Sequence, residues 1–131
     1  MVDKSKGRSY LAKADQFLSS ATSALADARH DAALLLAIHG AISATDAVTA
    51  ALAGLRSADP DHLRAADLLE SVARGSEEIH DRAGQLRGLL KSKNLVEYED
   101  RRVTAREAEA GVKRAKRLAE WARTQIERAR A

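Results

Sequence analysis

The segment that most constrains the fold is residues 32–55, AALLLAIHGAISATDAVTAALAGL. On a helical period its apolar and small side chains occupy more than one side, so the segment is expected to have neighbours all around it. Polar residues such as His39 and Asp46 interrupt it only singly. A helix over about 31–55 is therefore predicted as the core of a helical bundle.

The remaining composition also favours packed helices. The chain has 28 Ala in 131 residues, 3% aromatic residues, one Pro and no Cys. Ala is the strongest helix former and lets helices approach closely. The absence of Cys excludes a disulfide framework and fits a reducing compartment. Without an uninterrupted apolar run near the roughly 18 residues of a membrane span, or a signal-peptide core at the N-terminus, we expect a cytoplasmic protein with no membrane partner.

Local signals divide the chain into four long helices and one short helix. Apolar residues at steps of three and four predict a first helix over 8–28. The later boundaries are marked by an N-cap at Asp59 before Pro60, a stop at Gly75, a cap at Ser76, and a capping box at Thr104 and Glu107. We predict an all-α, antiparallel up-and-down bundle that forms one domain over 1–131, with an ordered core over about 8–128.

Charge is unevenly distributed along the chain. The net charge is +3, but residues 1–100 carry 12 Lys and Arg against 15 Asp and Glu, or −3, while residues 101–131 carry 10 against 4, or +6. A basic last helix is typical either of a phosphate-binding surface or of an ordinary solvated face. Because no aromatic residues for base stacking alternate along this helix, the solvated face is favoured.

The order and content of the segments resemble the HEPN superfamily, closest to its small stand-alone actinobacterial branch. The resemblance covers about 9–126 and rests on KADQFLSSATSAL in the first helix, RHDAALLLAIHGAISATDAV in the second, DPDHLRAADLL before the short helix, and LRGLLKSKNLVEYED followed by TAREAEAGVKRAKRLAEWA. The most specific part is the end of the fourth helix, KSKNLVEYED.

That decapeptide is similar to the motif of HEPN ribonucleases, in which an Arg and a polar residue are followed within four to six residues by a His. In that family two copies of the motif meet at a dimer interface and cut RNA without a metal. The resemblance places Lys93 at the Arg position, Asn94 at the polar position and Tyr98 at the His position. Lys still attracts phosphate as a point charge, but Tyr, with an ordinary pKa near 10, is a poor general base at neutral pH.

Three functions follow as hypotheses. The first is a homodimeric HEPN-like binding module in which Lys93, Asn94 and Tyr98 line a polar cleft for RNA, a nucleotide or a partner protein; the resemblance implies a nucleotidyltransferase partner in a toxin–antitoxin or stress system. The second is an active, metal-independent endoribonuclease toxin that uses Lys93 with Tyr98, or with Glu97 as a base of raised pKa. The third is a bundle that serves only protein interaction. The motif is expected to bind more than it cuts.

Two further stretches match the ribonuclease spacing literally. Arg74 with His80 straddles a predicted helix break, and Arg56 with His62 straddles a loop that contains Pro60. Neither pair would project from one continuous helix face, so both are expected to be non-catalytic.

The remaining polar candidates have structural interpretations. His39 is expected to be a buried or interface His bonded to a polar partner. His30 and Asp31 are expected to cap the second helix, and Asp46 is expected to pair with a basic residue. The sequence lacks HxxxH, HExxH and the Gly-rich phosphate-binding motifs, so neither a metal nor a cofactor is predicted.

Overall fold

A computed structural model describes residues 2–56, 63–72 and 75–130. A 3₁₀ turn at Lys4–Lys6 precedes five α-helices in the described residues: α1 (Gly7–Ala26), α2 (His30–Ala53), α3 (Leu63–Val72), α4 (Glu77–Tyr98) and α5 (Ala105–Arg130). The same residues contain no β-strand. The predicted all-α bundle of four long helices and one short helix is confirmed.

The apolar segment forms the central helix, as predicted. α2 contacts each of the other four helices and the 3₁₀ turn, and side chains such as Ile38 and Val48 are fully buried. By length and hydropathy alone, α2 would be long and apolar enough to span a membrane, although polar residues interrupt its apolar run. Within the apolar stretch of α2, 72% is buried inside the bundle, as is usual for the core helix of a soluble protein.

Helices α1 and α2 approach closely at Gly40. A Cβ built on Gly40 would lie 2.8 Å from Cγ and Cδ2 of Leu18, which is itself buried. Only a residue without a side chain allows this approach. The preceding residue, His39, also lies against α1, with its ring centroid 5.7 Å from that of Phe17.

The helix ends show which sequence signals were correct. Ser76 caps α4 by accepting from the Ile79 N–H at 3.3 Å, as predicted. The predicted capping box of α5 is also present: Thr104 Oγ1 accepts from the Glu107 N–H at 3.1 Å, and Glu107 Oε1 accepts from the Thr104 N–H at 3.0 Å. Arg101, together with those Thr104 bonds, lowers the pKa of Glu107 to about 2.

The predicted cap of α2 is wrong. The residue at the N-cap position is Arg29, and it makes no side-chain capping bond. Asp31 lies in the first turn, where its Oδ1 accepts from the Val103 N–H at 2.8 Å. A carboxylate at a helix start is still favourable there, but its partner is the loop before α5 rather than its own helix. The predicted start of the short helix at Asp59 and Pro60 lies outside the described residues.

Candidate functional site

The last two turns of α4 hold the predicted motif on one helix. Leu90 and Leu95 are buried and anchor this part of α4 on the bundle, which leaves the polar positions between them at the surface. Lys93 and Glu97 are one turn apart, and so are Asn94 and Tyr98 in the neighbouring column. The helix therefore brings all four side chains to one end of the bundle.

Lys93 forms an ion pair within the motif. Its Nζ lies 2.8 Å from Glu97 Oε2, and the two side chains are 21% and 27% exposed. The Lys93 bond is the largest cause that holds the pKa of Glu97 below its ordinary value, with smaller contributions from the Lys93 charge, from His39 and from the Tyr98 hydroxyl. Glu97 is therefore ionised at neutral pH. A raised pKa would be needed for Glu97 to act as a base, but the pKa of Glu97 is lowered instead.

Tyr98 is presented to solvent at the last residue of α4. It is 77% exposed, and among the described residues it is the one large hydrophobic side chain that is exposed to solvent. Asn94 is exposed beside it. An exposed phenol next to an exposed amide can hydrogen-bond or stack with a ligand or a second protein chain.

His39 reaches the same site from α2, which sequence reasoning did not predict. Its ring centroid lies 5.7 Å from that of Phe17 of α1, at an interplanar angle of 33°. The charge of His39 also makes a small contribution to lowering the pKa of Glu97 on α4. His39 was expected to be a buried or interface residue that is hydrogen-bonded to a polar partner. It is half-buried, and its charge acts on the Glu97 carboxylate across two helices that are distant in sequence.

Each of the two literal matches to the ribonuclease spacing includes one residue outside the described residues. These residues are His62 and Arg74. The other members of the two matches have structural partners. His80 is exposed, and its Nδ1 lies 3.5 Å from Glu70 of α3. Arg56 pairs with Asp46.

Asp46 has the basic partner that was predicted for it. Arg56 Nε lies 3.4 Å from Asp46 Oδ2, and the Arg56 guanidinium lies 5.2 Å from the centroid of the Tyr10 ring. Burial raises the pKa of Asp46 to about 6, and the charge and hydrogen bond of Arg56 oppose that rise. This cluster joins α1, α2 and the segment that follows α2.

Part of the positive charge of the last helix is paired with an acidic side chain of another helix in the bundle. Arg123 Nη2 is bonded to both carboxylate oxygens of Asp15 on α1 at 2.8 Å. Trp121 is buried; its indole N–H donates to Glu78 at 2.9 Å, and the Arg82 guanidinium lies 5.8 Å from the ring centroid. The single Trp of the chain is therefore not presented for base stacking, and this agrees with a mainly solvated face. Across the described part of the chain, no three His, Asp or Glu side chains converge as metal ligands.

These features define an all-α bundle with a polar site at the end of its fourth helix. A family model of the HEPN domain matches residues 8–125, nearly the whole chain. The protein belongs to the HEPN domain family, and the narrower actinobacterial branch stays a prediction. No curated protein and no solved structure matches the chain significantly.

Proposed function

We propose that this protein is a cytoplasmic HEPN binding module that acts as a homodimer and holds an RNA phosphate at its α4 motif without cutting it. The observation that carries the proposal is which side chains occupy the motif positions and how they are paired. Lys93 offers a cation held by Glu97 at 2.8 Å, whereas the position of the expected His is taken by the exposed phenol of Tyr98. A cation alone binds phosphate, but cleavage also needs a group that exchanges a proton near neutral pH.

The homodimer is supported by the exposure of Tyr98. A large aromatic side chain that is 77% exposed at the end of a helix is unusual for a free surface and common at interfaces. In HEPN ribonucleases two copies of the corresponding motif meet. A dimer through α4 would place two Lys93 side chains near one ligand. Replacing Tyr98 by Ala should then lower the molecular mass measured by light scattering at micromolar concentration from that of a dimer toward that of a monomer.

The test of RNA binding is the affinity for a fluorescent single-stranded RNA, measured by anisotropy in the presence of EDTA. Lys93→Ala should weaken binding by about tenfold or more, because a charge-assisted hydrogen bond contributes about 1.5–3 kcal/mol. It should also reduce the slope of log affinity against log salt by about 0.7, the effect of one lost phosphate contact on a single strand.

Lys91→Ala is the matched control. Lys91 is exposed two residues upstream and carries the same charge, but it is not part of the motif. Its removal should leave the affinity within about twofold of the wild type. Equal losses in the Lys91 and Lys93 variants would count against a specific site.

A second function, a metal-independent ribonuclease, is favoured by one observation. The charge of His39 acts on the Glu97 carboxylate, and an imidazole ordinarily exchanges a proton near neutral pH, so His39 could supply the acid or base. A nucleotidyltransferase partner and a toxin–antitoxin role rest on the family resemblance alone. Co-expression with a candidate nucleotidyltransferase, followed by co-purification of wild type and Tyr98→Ala, tests that part of the proposal.

A further inference from the structure

We infer that the cleft between the start of α4 and the end of α5 is a second binding site, in which three arginines hold the phosphate group of a small ligand. The cleft has a volume of about 290 Å³, close to the lower end of the range of about 300–1,000 Å³ for small-molecule sites. Its cations are Arg82 of α4 and Arg117 and Arg128 of α5. The site is separate from the proposed RNA site, because Arg82 lies about three helical turns before Lys93, or about 16 Å along the axis of α4.

The cleft is built on a contact between the two helices. Trp121 of α5 lines it and is buried, and its indole N–H donates to Glu78 of α4 at 2.9 Å. The Arg82 guanidinium lies 5.8 Å from the centroid of the same ring. Arg117 and Arg128 lie one turn before and two turns after Trp121 on the same helix. Side chains from two helices therefore surround one space whose base is already packed.

The three guanidinium groups are not paired with carboxylates. Among the residues that the structure describes, Arg117 and Arg128 form no ion pair and no side-chain hydrogen bond. Arg82 donates to a neutral amide, Gln85 Oε1, at 3.2 Å. Arg123 of the same helix α5 differs, because it is bonded to Asp15. Guanidinium groups that lack a carboxylate can offer their paired N–H donors to a phosphate.

Two acidic residues also line the cleft, and they set its net charge. Glu78 accepts the indole N–H, and Glu120 is exposed on α5. Three arginines against two glutamates leave a net charge of +1. Glu120 opposes an anion in the cleft, so its removal should strengthen binding, whereas the removal of an arginine should weaken it.

A buried amide also favours an oxygen-rich ligand. Gln125 lines the cleft, and its Nε2 is buried without a hydrogen-bond partner among the described residues. An unpaired buried donor is unfavourable. A phosphate oxygen in the cleft is an acceptor to which the Gln125 side chain can turn.

The ligand class is a phosphate group without a stacked base. Trp121 is only 6% exposed, so it offers no free aromatic face to a nucleobase. The remaining donors are guanidinium and amide groups, which suit phosphate oxygens. The phosphate can come from the inorganic ion or from a small phosphate monoester.

The single Trp of the chain lies in the cleft and can report ligand binding. Inorganic phosphate and glycerol phosphate are each titrated into the full chain at about pH 7.5 and constant ionic strength, and binding is followed by Trp121 fluorescence and by isothermal titration calorimetry. We expect saturable binding. Tighter binding of glycerol phosphate identifies a monoester as the ligand, and tighter binding of inorganic phosphate identifies the free ion.

Three exposed positions of α5 supply the variants, whose folding is checked by circular dichroism. Arg117→Gln should weaken phosphate binding by about tenfold, because it removes one charge-assisted hydrogen bond. Glu120→Gln should strengthen it severalfold. Arg106→Gln is the matched control, because Arg106 is an exposed Arg of the same helix outside the cleft, and it should stay within about twofold of the wild type.

The inference is overturned if calorimetry detects no saturable phosphate binding, if Arg117→Gln and Arg106→Gln lose affinity equally, or if Glu120→Gln binds more weakly than the wild type. Lys93→Ala separates this site from the proposed RNA site. It should leave phosphate binding unchanged while it weakens RNA binding. Loss of phosphate binding in Lys93→Ala would assign the phosphate to the α4 motif and overturn the second site.

Discussion

Replacing Gly40 by Ala tests the close approach of α1 and α2. The added Cβ would lie 2.8 Å from Leu18 Cγ and Cδ2, about 1 Å inside an ordinary carbon contact. Leu18 is buried and cannot turn into solvent. Overpacking of this kind costs about 1–3 kcal/mol. Ala is favoured over Gly within a helix by about 1 kcal/mol, so the net loss of stability should be about 0–2 kcal/mol.

Gly84→Ala provides the reference that isolates the packing cost. Gly84 is an exposed residue of α4, and nothing lies within 4 Å of a Cβ built on it. That variant should gain about 0.5–1 kcal/mol from helix propensity alone. The difference between the two variants, about 1–3 kcal/mol, is then the cost of the Leu18 contact.

Urea unfolding followed by the fluorescence of the single, buried Trp121 and by circular dichroism measures both free energies of unfolding. Agreement of the two probes checks that unfolding is two-state. Equal stabilities of the Gly40 and Gly84 variants would refute the close approach of α1 and α2 at Gly40.

Two further predictions concern a helix cap and a buried acid. Thr104→Ala should destabilise the protein by about 1 kcal/mol because it removes the cap of α5. Thr124→Ala, at an exposed mid-helix position, should change stability by less than about 0.5 kcal/mol. Thermal unfolding compares the two variants. Burial raises the pKa of Asp46 from 3.8 to about 6, so the folded protein binds this proton more readily than the unfolded chain. Stability from Asp46 is therefore full below about pH 4 and is lost as the pH rises to about 6. Asp46→Asn should abolish this slope and stabilise the protein at about pH 7.5 by as much as about 3 kcal/mol, at about 1.36 kcal/mol per pKa unit, because the pKa of about 6 already includes the effect of Arg56. The prediction is contradicted if the free energy of unfolding changes by the same amount between about pH 4.5 and about pH 7.5 in the wild type and in Asp46→Asn.

Local sequence signals predicted the helices well. The central helix could be identified because its apolar residues face several directions, which no surface helix does. The caps at Ser76 and Thr104 could be identified because a cap involves residues only three apart. Asp31 was misassigned as a cap because its partner, the Val103 N–H, is 72 residues away.

Only part of the candidate site could be predicted from the sequence. Lys93, Asn94 and Tyr98 could be chosen because they share one helix, and their spacing resembles a known motif. The effect of His39 on Glu97 could not be predicted, since it depends on how α4 packs against α2. The lowered pKa of Glu97 could have been expected, because Lys93 lies four residues before it, within reach of an ion pair along one face of the helix.

The most direct test of the central claim is a cleavage time course in EDTA with end-labelled single-stranded RNA, with the wild type beside the double variant Lys93→Ala, Tyr98→Ala. The same samples are run on a native gel to show binding. A binding module predicts a shifted band in the wild type, a weaker shift in the double variant, and full-length RNA throughout in both. Fragments that accumulate with the wild type and vanish with the double variant would contradict the claim and establish a metal-independent ribonuclease.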